Sequence, residues 1–128
     1  MKGLFFSLIT LVTLASCAQT TKNNGSDATG NIAQRITKEE FKSQMEALET
    51  YQLIDVRTPS EYNGGTIGEA INIDYTASDF TEKINALDKT IPVLMFCQSG
   101  GRSAKALKIF SSNGFAEVYE LEGGYGNW

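Results

Sequence analysis

The sequence predicts an α/β domain with a mostly parallel sheet flanked by helices. Three observations carry this. Short apolar runs alternate with amphipathic segments over residues 33–128, the pattern of strand–helix–strand units. Glycine, proline and asparagine punctuate them, as in Thr58-Pro59, Asn63-Gly64-Gly65 and Asn113-Gly114. One run, IPVLMF at residues 91–96, is apolar throughout, as a central strand covered on both faces must be.

The elements follow in order. Thr37 and Glu40 have the spacing of a capping box, and Phe41, Met45 and Leu48 follow at helical spacing. Residues 51–56, YQLIDV, read as a strand that Thr58-Pro59 stops. Ser60-Glu61-Tyr62 starts a short helical turn, and Ala70-Ile71-Asn72-Ile73 is a short strand. Ser78 or Asp79 caps a helix that turns Phe80, Ile84 and Leu87 inward. After the 91–96 strand, a helix over 102–113 presents Ala106, Leu107, Ile109 and Phe110. Asn113-Gly114 ends it, and residues 117–121, EVYEL, form the last clear strand.

Cys97 closes the central strand and opens the segment CQSGGRS, residues 97–103. In open parallel sheets ligands gather at the carboxyl ends of strands. A thiol there, just before a helix N-terminus, meets unpaired N–H groups that favour an anion. Arg102 adds a full positive charge, and the two together are expected to lower the Cys97 pKa. Gly100 and Gly101 are expected to let the loop curl its amides inward. The alternative is a buried structural cysteine, a common fate of free thiols.

Composition narrows the chemistry. The chain has no histidine, which excludes Ser-His-Asp and Cys-His catalysis and every histidine-containing metal site. Its formal charge is −4, and loss of residues 1–16 removes Lys2 and no acidic residue, leaving −5. That balance argues against nucleic acid and against electrostatic binding to anionic lipid.

The N-terminus divides from the domain. Met1 and Lys2 lead into the apolar run GLFFSLITLVTLA, which ends at Ser16-Cys17. The run is short for a membrane span and fits a signal peptide. Leu14-Ala15-Ser16-Cys17 resembles the bacterial lipobox, so residues 1–16 are expected to be removed and Cys17 lipidated. An ordinary secretory signal with an incidental cysteine, or a buried N-terminal helix, is the alternative. Residues 17–32 are small and polar and read as a lipid-anchored tether. The domain of residues 33–128 is then expected in the bacterial cell envelope, facing periplasm or exterior. Of two cysteines, Cys17 takes the lipid and Cys97 the chemistry. A lone thiol in an oxidising compartment points to function.

Three stretches together resemble the rhodanese (sulfurtransferase) homology domain. The first is LIDVRTPSEY at 53–62, followed by Gly65-Thr66-Ile67 and Ala70-Ile71-Asn72-Ile73; the second is the 97–103 loop; the third is Leu121-Glu122-Gly123-Gly124, ending in Trp128. The resemblance spans residues 36–128 and implies a rhodanese-like five-stranded, mostly parallel sheet. It implies that Cys97 carries sulfur as a persulfide, cradled by Gln98, Ser99, Gly100, Gly101 and Ser103, with Arg102 closing the cradle. Asp55 and Arg57 match the family's D-V-R pair and are expected to be structural, an ion pair that fixes a loop. No metal or organic cofactor is implied. The implied reaction moves a sulfane sulfur from thiosulfate or a persulfide to cyanide or a thiol. A persulfide carrier or sensing module serving an envelope protein partner is the alternative.

Loop length separates this from related chemistry. Four residues lie between Cys97 and Arg102, where phosphatases and arsenate reductases of this fold have five and hold a tetrahedral oxyanion. The chain also departs from the family pattern. Thr66 stands where histidine is frequent, and Gln98 where thiosulfate-using members often carry arginine. The second change removes a cation, which should weaken capture of a dianionic donor. The chain ends at Trp128, without the extra C-terminal helix of many members, so a flank that is thinner, or that a partner covers, is expected there.

Overall fold

The computed structural model describes residues 30–128. The expected signal peptide, Cys17 and the expected tether through residue 29 lie outside them. Five strands form one sheet: β1 (Ile32–Ile36), β2 (Gln52–Asp55), β3 (Ile71–Asn72), β4 (Val93–Phe96) and β5 (Glu117–Leu121). Their order is β1-β5-β4-β2-β3, and every pairing is parallel. The parallel α/β architecture is therefore present, with β4 at its centre.

Alternation of side chains along the strands builds two cores. Val93 and Met95 of β4 face one side with Ile54, Phe80, Ile84, Ala106, Phe110 and Val118. Leu94 and Phe96 face the other with Phe41, Leu53, Ile67 and Leu121. Four consecutive buried residues in β4 thus serve two layers, which is why the run is apolar throughout.

Helices α1 (Lys38–Ala47), α2 (Pro59–Asn63), α3 (Phe80–Asn85) and α4 (Gly101–Ser112) connect the strands. The Thr37–Glu40 capping box forms as expected. A second one was not anticipated: Thr58 accepts from the Glu61 amide, and Glu61 reaches back to the Thr58 amide. Thr58-Pro59 thus starts a helix as well as stopping a strand, with Pro59 in the first turn where its missing N–H costs nothing. Asp79 caps α3 by position but makes no side-chain cap hydrogen bond.

The strand that residue patterns alone did not show is β1. It starts at Ile32, the last residue expected in the tether, and pairs with β5 along its whole length. Only Ile36 of its five residues is buried, so an edge strand of this kind carries little hydrophobic pattern.

Candidate active site

Cys97 follows β4 directly, and its residue is 1% exposed. The chain then makes one tight turn into α4. Gly100 takes φ +98° there, which no other residue type adopts cheaply. An added Cβ at Gly100 would also lie 3.1 Å from Arg35 Nη2. Gly101 differs from expectation: it is the first residue of α4, its φ is not positive, and a Cβ there would meet open space. The curl of the loop therefore rests on Gly100.

The turn folds its donors onto the sulfur. The Gly100 amide donates to Cys97 Sγ at 3.1 Å. Ser103 Oγ lies 3.3 Å from the same atom. Burial pushes the thiol up, but hydrogen bonds from the Ser103 side chain and from the Ser103, Gly100 and Ser99 amides outweigh it, so the Cys97 pKa falls below its ordinary value. The lowering expected from the helix N-terminus is present, since Gly100 caps α4 and Ser103 lies in its first turn; the donors that touch the sulfur are these groups rather than Arg102.

Arg102 points elsewhere. Its Nη1 and Nη2 each donate at 2.8 Å to one oxygen of Glu61, a bidentate pair from α4 to α2. The pair ties the loop to the second capping box. The guanidinium holds Glu61 far below the usual carboxylate range, to about 2, with help from Thr58. A depressed carboxylate stabilises the fold above its unfolded value of 4.5, and that contribution is lost as pH falls towards about 2. Wild type should thus be more stable than Glu61→Gln at neutral pH, and the gap should close through this acid window. Urea midpoints of the two proteins against pH check this; a constant gap would contradict it.

Gln98 also turns away from the sulfur. Its Oε1 accepts from Arg57 Nη1 at 3.1 Å. Arg57 is buried and reaches four partners. Its Nη2 and Nε donate to Asp55 at 2.7 and 3.0 Å, Nη2 donates to the Gly65 carbonyl, and the guanidinium lies 4.0 Å from the Tyr125 ring centroid. Thr66 Oγ1 donates to Asp55 Oδ2 at 2.8 Å, so the residue replacing the frequent histidine completes this carboxylate's shell. The Asp55–Arg57 pair joins the end of β2 to the cysteine loop through Gln98.

The C-terminal turn backs the loop. Tyr125 N–H donates to the Cys97 carbonyl at 2.7 Å, and Gly126 N–H to the Gln98 carbonyl at 2.9 Å. Gly124 permits this contact. Its φ is +63°, and a Cβ would fall 2.4 Å from the Cys97 oxygen and 2.7 Å from the Gln98 carbonyl carbon. Gly124→Ala should push the loop backbone aside, costing about 1–3 kcal/mol and slowing Cys97 alkylation. An unchanged urea midpoint would refute the close-approach argument.

Two residues that sequence reasoning passed over lie behind the sulfur. Glu120 is fully buried on β5. It accepts from Arg35 Nε at 2.6 Å and from the Ser103 hydroxyl. Arg35 Nη2 donates to the Gly100 carbonyl at 2.7 Å. Strand alternation held a signal: Glu120 falls two residues from inward-facing Val118.

Known proteins match the part of the chain that holds this loop. The rhodanese-like domain model matches residues 37–128. The Bacillus subtilis protein YqhL is 37% identical over 97 residues, 76% of this chain and 73% of that one. The thiosulfate sulfurtransferase GlpE of Pseudomonas aeruginosa is 33% identical over 96 residues, covering 74% of this chain and 83% of GlpE. A tRNA uridine(34) hydroxylase of Pelagibacter ubique is 40% identical over 77 residues, 59% of this chain but 26% of the hydroxylase. The crystal structure of a rhodanese-like domain protein from Staphylococcus aureus superposes with a TM-score of 0.65 at 29% identity, over 74% of this chain and 90% of that one. With a match across the whole described sheet beyond β1 and a cysteine loop at its centre, the chain belongs to the rhodanese-like domain family.

Proposed function

We propose that the domain is a sulfurtransferase that moves a sulfane sulfur through a persulfide on Cys97. The observation that carries this is the sulfur itself, held by the Gly100 amide and the Ser103 hydroxyl at the start of α4. Such donors stabilise a thiolate without an imidazole base. The Cys97 thiolate attacks the outer sulfur of the donor. The donor's S–S bond breaks, and its leaving group departs with the bonding electrons. An acceptor thiolate or cyanide then attacks the terminal sulfur and returns Cys97 to thiolate. The loop amides are aimed where negative charge gathers.

The charges around the loop favour a persulfide donor over thiosulfate. Arg102 is taken by Glu61, Arg57 by Asp55 and Arg35 by Glu120. A dianion therefore gains little attraction there. The same pairing supports the second reading, a carrier that holds sulfur for a partner without fast turnover. Intact mass after incubation with thiosulfate, and separately with glutathione persulfide, tests both. One sulfur atom added at Cys97 and then discharged to cyanide or thiol supports transfer; stable loading without discharge supports the carrier; no loading sinks both. We further propose that Cys17 carries lipid and holds the domain at the cell envelope, on the strength of the 14–17 motif.

A further inference from the structure

The polar network behind Cys97 holds more than a thiol cradle requires. Ser103 Oγ is within hydrogen-bond distance of both Cys97 Sγ and Glu120 Oε1. A hydroxyl has one proton to donate. Carboxylate and sulfur therefore compete for it. Arg35 clamps the carboxylate from the far side through Nε at 2.6 Å and Nη2 at 3.1 Å, and the register of β1 on β5 places the two residues directly opposite each other.

We propose that Glu120, acting through the Ser103 hydroxyl, is a positioning residue that sets the thiolate fraction of Cys97. The inference rests on Cys97 being the sulfur carrier. In the thiol state Ser103 donates to Glu120, and the Cys97 S–H points at Ser103 Oγ. When the thiol loses its proton to solvent, the hydroxyl turns to the thiolate, and Arg35 alone balances Glu120. Attack on a persulfide R–S–SH then forms the Cys97 S–S bond and breaks the donor's. The thiolate R–S⁻ leaves with the bonding pair and, directly or through solvent, takes the proton of the new terminal S–H, so that R–SH departs; no electrons are gained or lost overall. Negative charge now resides one atom further out, on the terminal sulfur. Sγ no longer needs the donor, and the hydroxyl returns to Glu120. Each half-reaction thus turns one hydroxyl between two acceptors.

Glu120 acts in this scheme as a brake, because a Ser103 hydroxyl that donates to its carboxylate is withheld from the thiolate. The other charged groups nearby each have a partner of their own, and Arg35 and Arg102 also feel the charge on Cys97. On α4, Arg102 is bound by Glu61 of α2, with Asp74 adding to its field. At the end of β2, Arg57 is bound by Asp55. Glu122, beyond β5, acts on Arg35. Among these groups Glu120 alone shares the Ser103 hydroxyl.

The test is the pH dependence of iodoacetamide alkylation in the full chain, read by mass on the Cys97 peptide. Glu120→Gln should lower the midpoint by about one pH unit. Ser103→Ala should raise it. In the Ser103→Ala background, Glu120→Gln should shift the midpoint by less than half as much. An unchanged midpoint in Glu120→Gln overturns the proposal, and so does an equal shift in both backgrounds, which would mean a charge acting through space. Should Glu120→Gln unfold, the comparison moves to Arg35→Gln, where adding Glu120→Gln must still lower the midpoint. Alkylation requires no sulfur donor. A wild-type protein that never loads sulfur would therefore refute the transfer reading and leave this result standing.

Discussion

Cys97→Ser is expected to abolish sulfur loading completely while the fold stays in place. An oxygen cannot accept a sulfane sulfur by exchange at a sulfur–sulfur bond, and a serine hydroxyl does not ionise in the range where a thiol does. The serine side chain would still accept from the Gly100 amide that now meets Sγ at 3.1 Å. The replacement is small and keeps a polar partner in a buried place, so the stability change should stay within about 1 kcal/mol. Intact mass after treatment with glutathione persulfide reads the first expectation, and a urea midpoint reads the second. A Cys97→Ser protein that still gains one labile sulfur would show that the carrier is another atom.

Arg57→Ala should be the most damaging substitution to the fold among the residues around the site. It strips the guanidinium from Asp55, whose side chain is fully buried. Thr66 and the Arg57 amide would still donate to Asp55, but no cation would remain beside it. Breaking a buried pair from one side costs about 3–5 kcal/mol, most of it the penalty of the charge left behind. The Gly65 carbonyl, Gln98 and the Tyr125 ring would lose their partner too. Lysine should not rescue, because an ammonium cannot reproduce a planar fork that meets a carboxylate, a carbonyl and an amide oxygen together. Urea unfolding of wild type, Arg57→Ala and Arg57→Lys measures this. A loss below about 1 kcal/mol in Arg57→Ala would refute the buried-charge argument.

Much of the frame was legible in the residues. Residues 91–96 announced a central strand because two cores draw on the same run. Cys97 at its end, and a helix close behind, followed from local order alone. The Thr37–Glu40 box could be read because both partners lie within one turn. The Thr58–Glu61 box is just as local and was passed over because Thr58-Pro59 reads first as a strand stop; most of the rest depends on distant pairing. Arg35 and Glu120 are 85 positions apart and meet only because β1 lies beside β5. Glu61 and Arg102 are 41 apart, and either alone looks like a solvated surface charge. Gln98 was placed beside the sulfur by its position in the loop, yet its amide follows Arg57. Gly100 and Gly101 look alike in sequence, and only backbone conformation separates the one the turn requires from the one it tolerates.

The layout also bears on when the thiol becomes reactive. The ladder on which Arg35 meets Glu120 joins the first strand to the last, and the turn that backs Cys97 comes from residues 125 and 126. Contacts of such long sequence separation form late, because their loop-closure entropy must be met first. A chain still emerging from the ribosome therefore has β4 and its cysteine without the wall behind them. Activation of the sulfur belongs to the last cooperative step of folding, so fragments cut short before β5 should carry only an ordinary thiol.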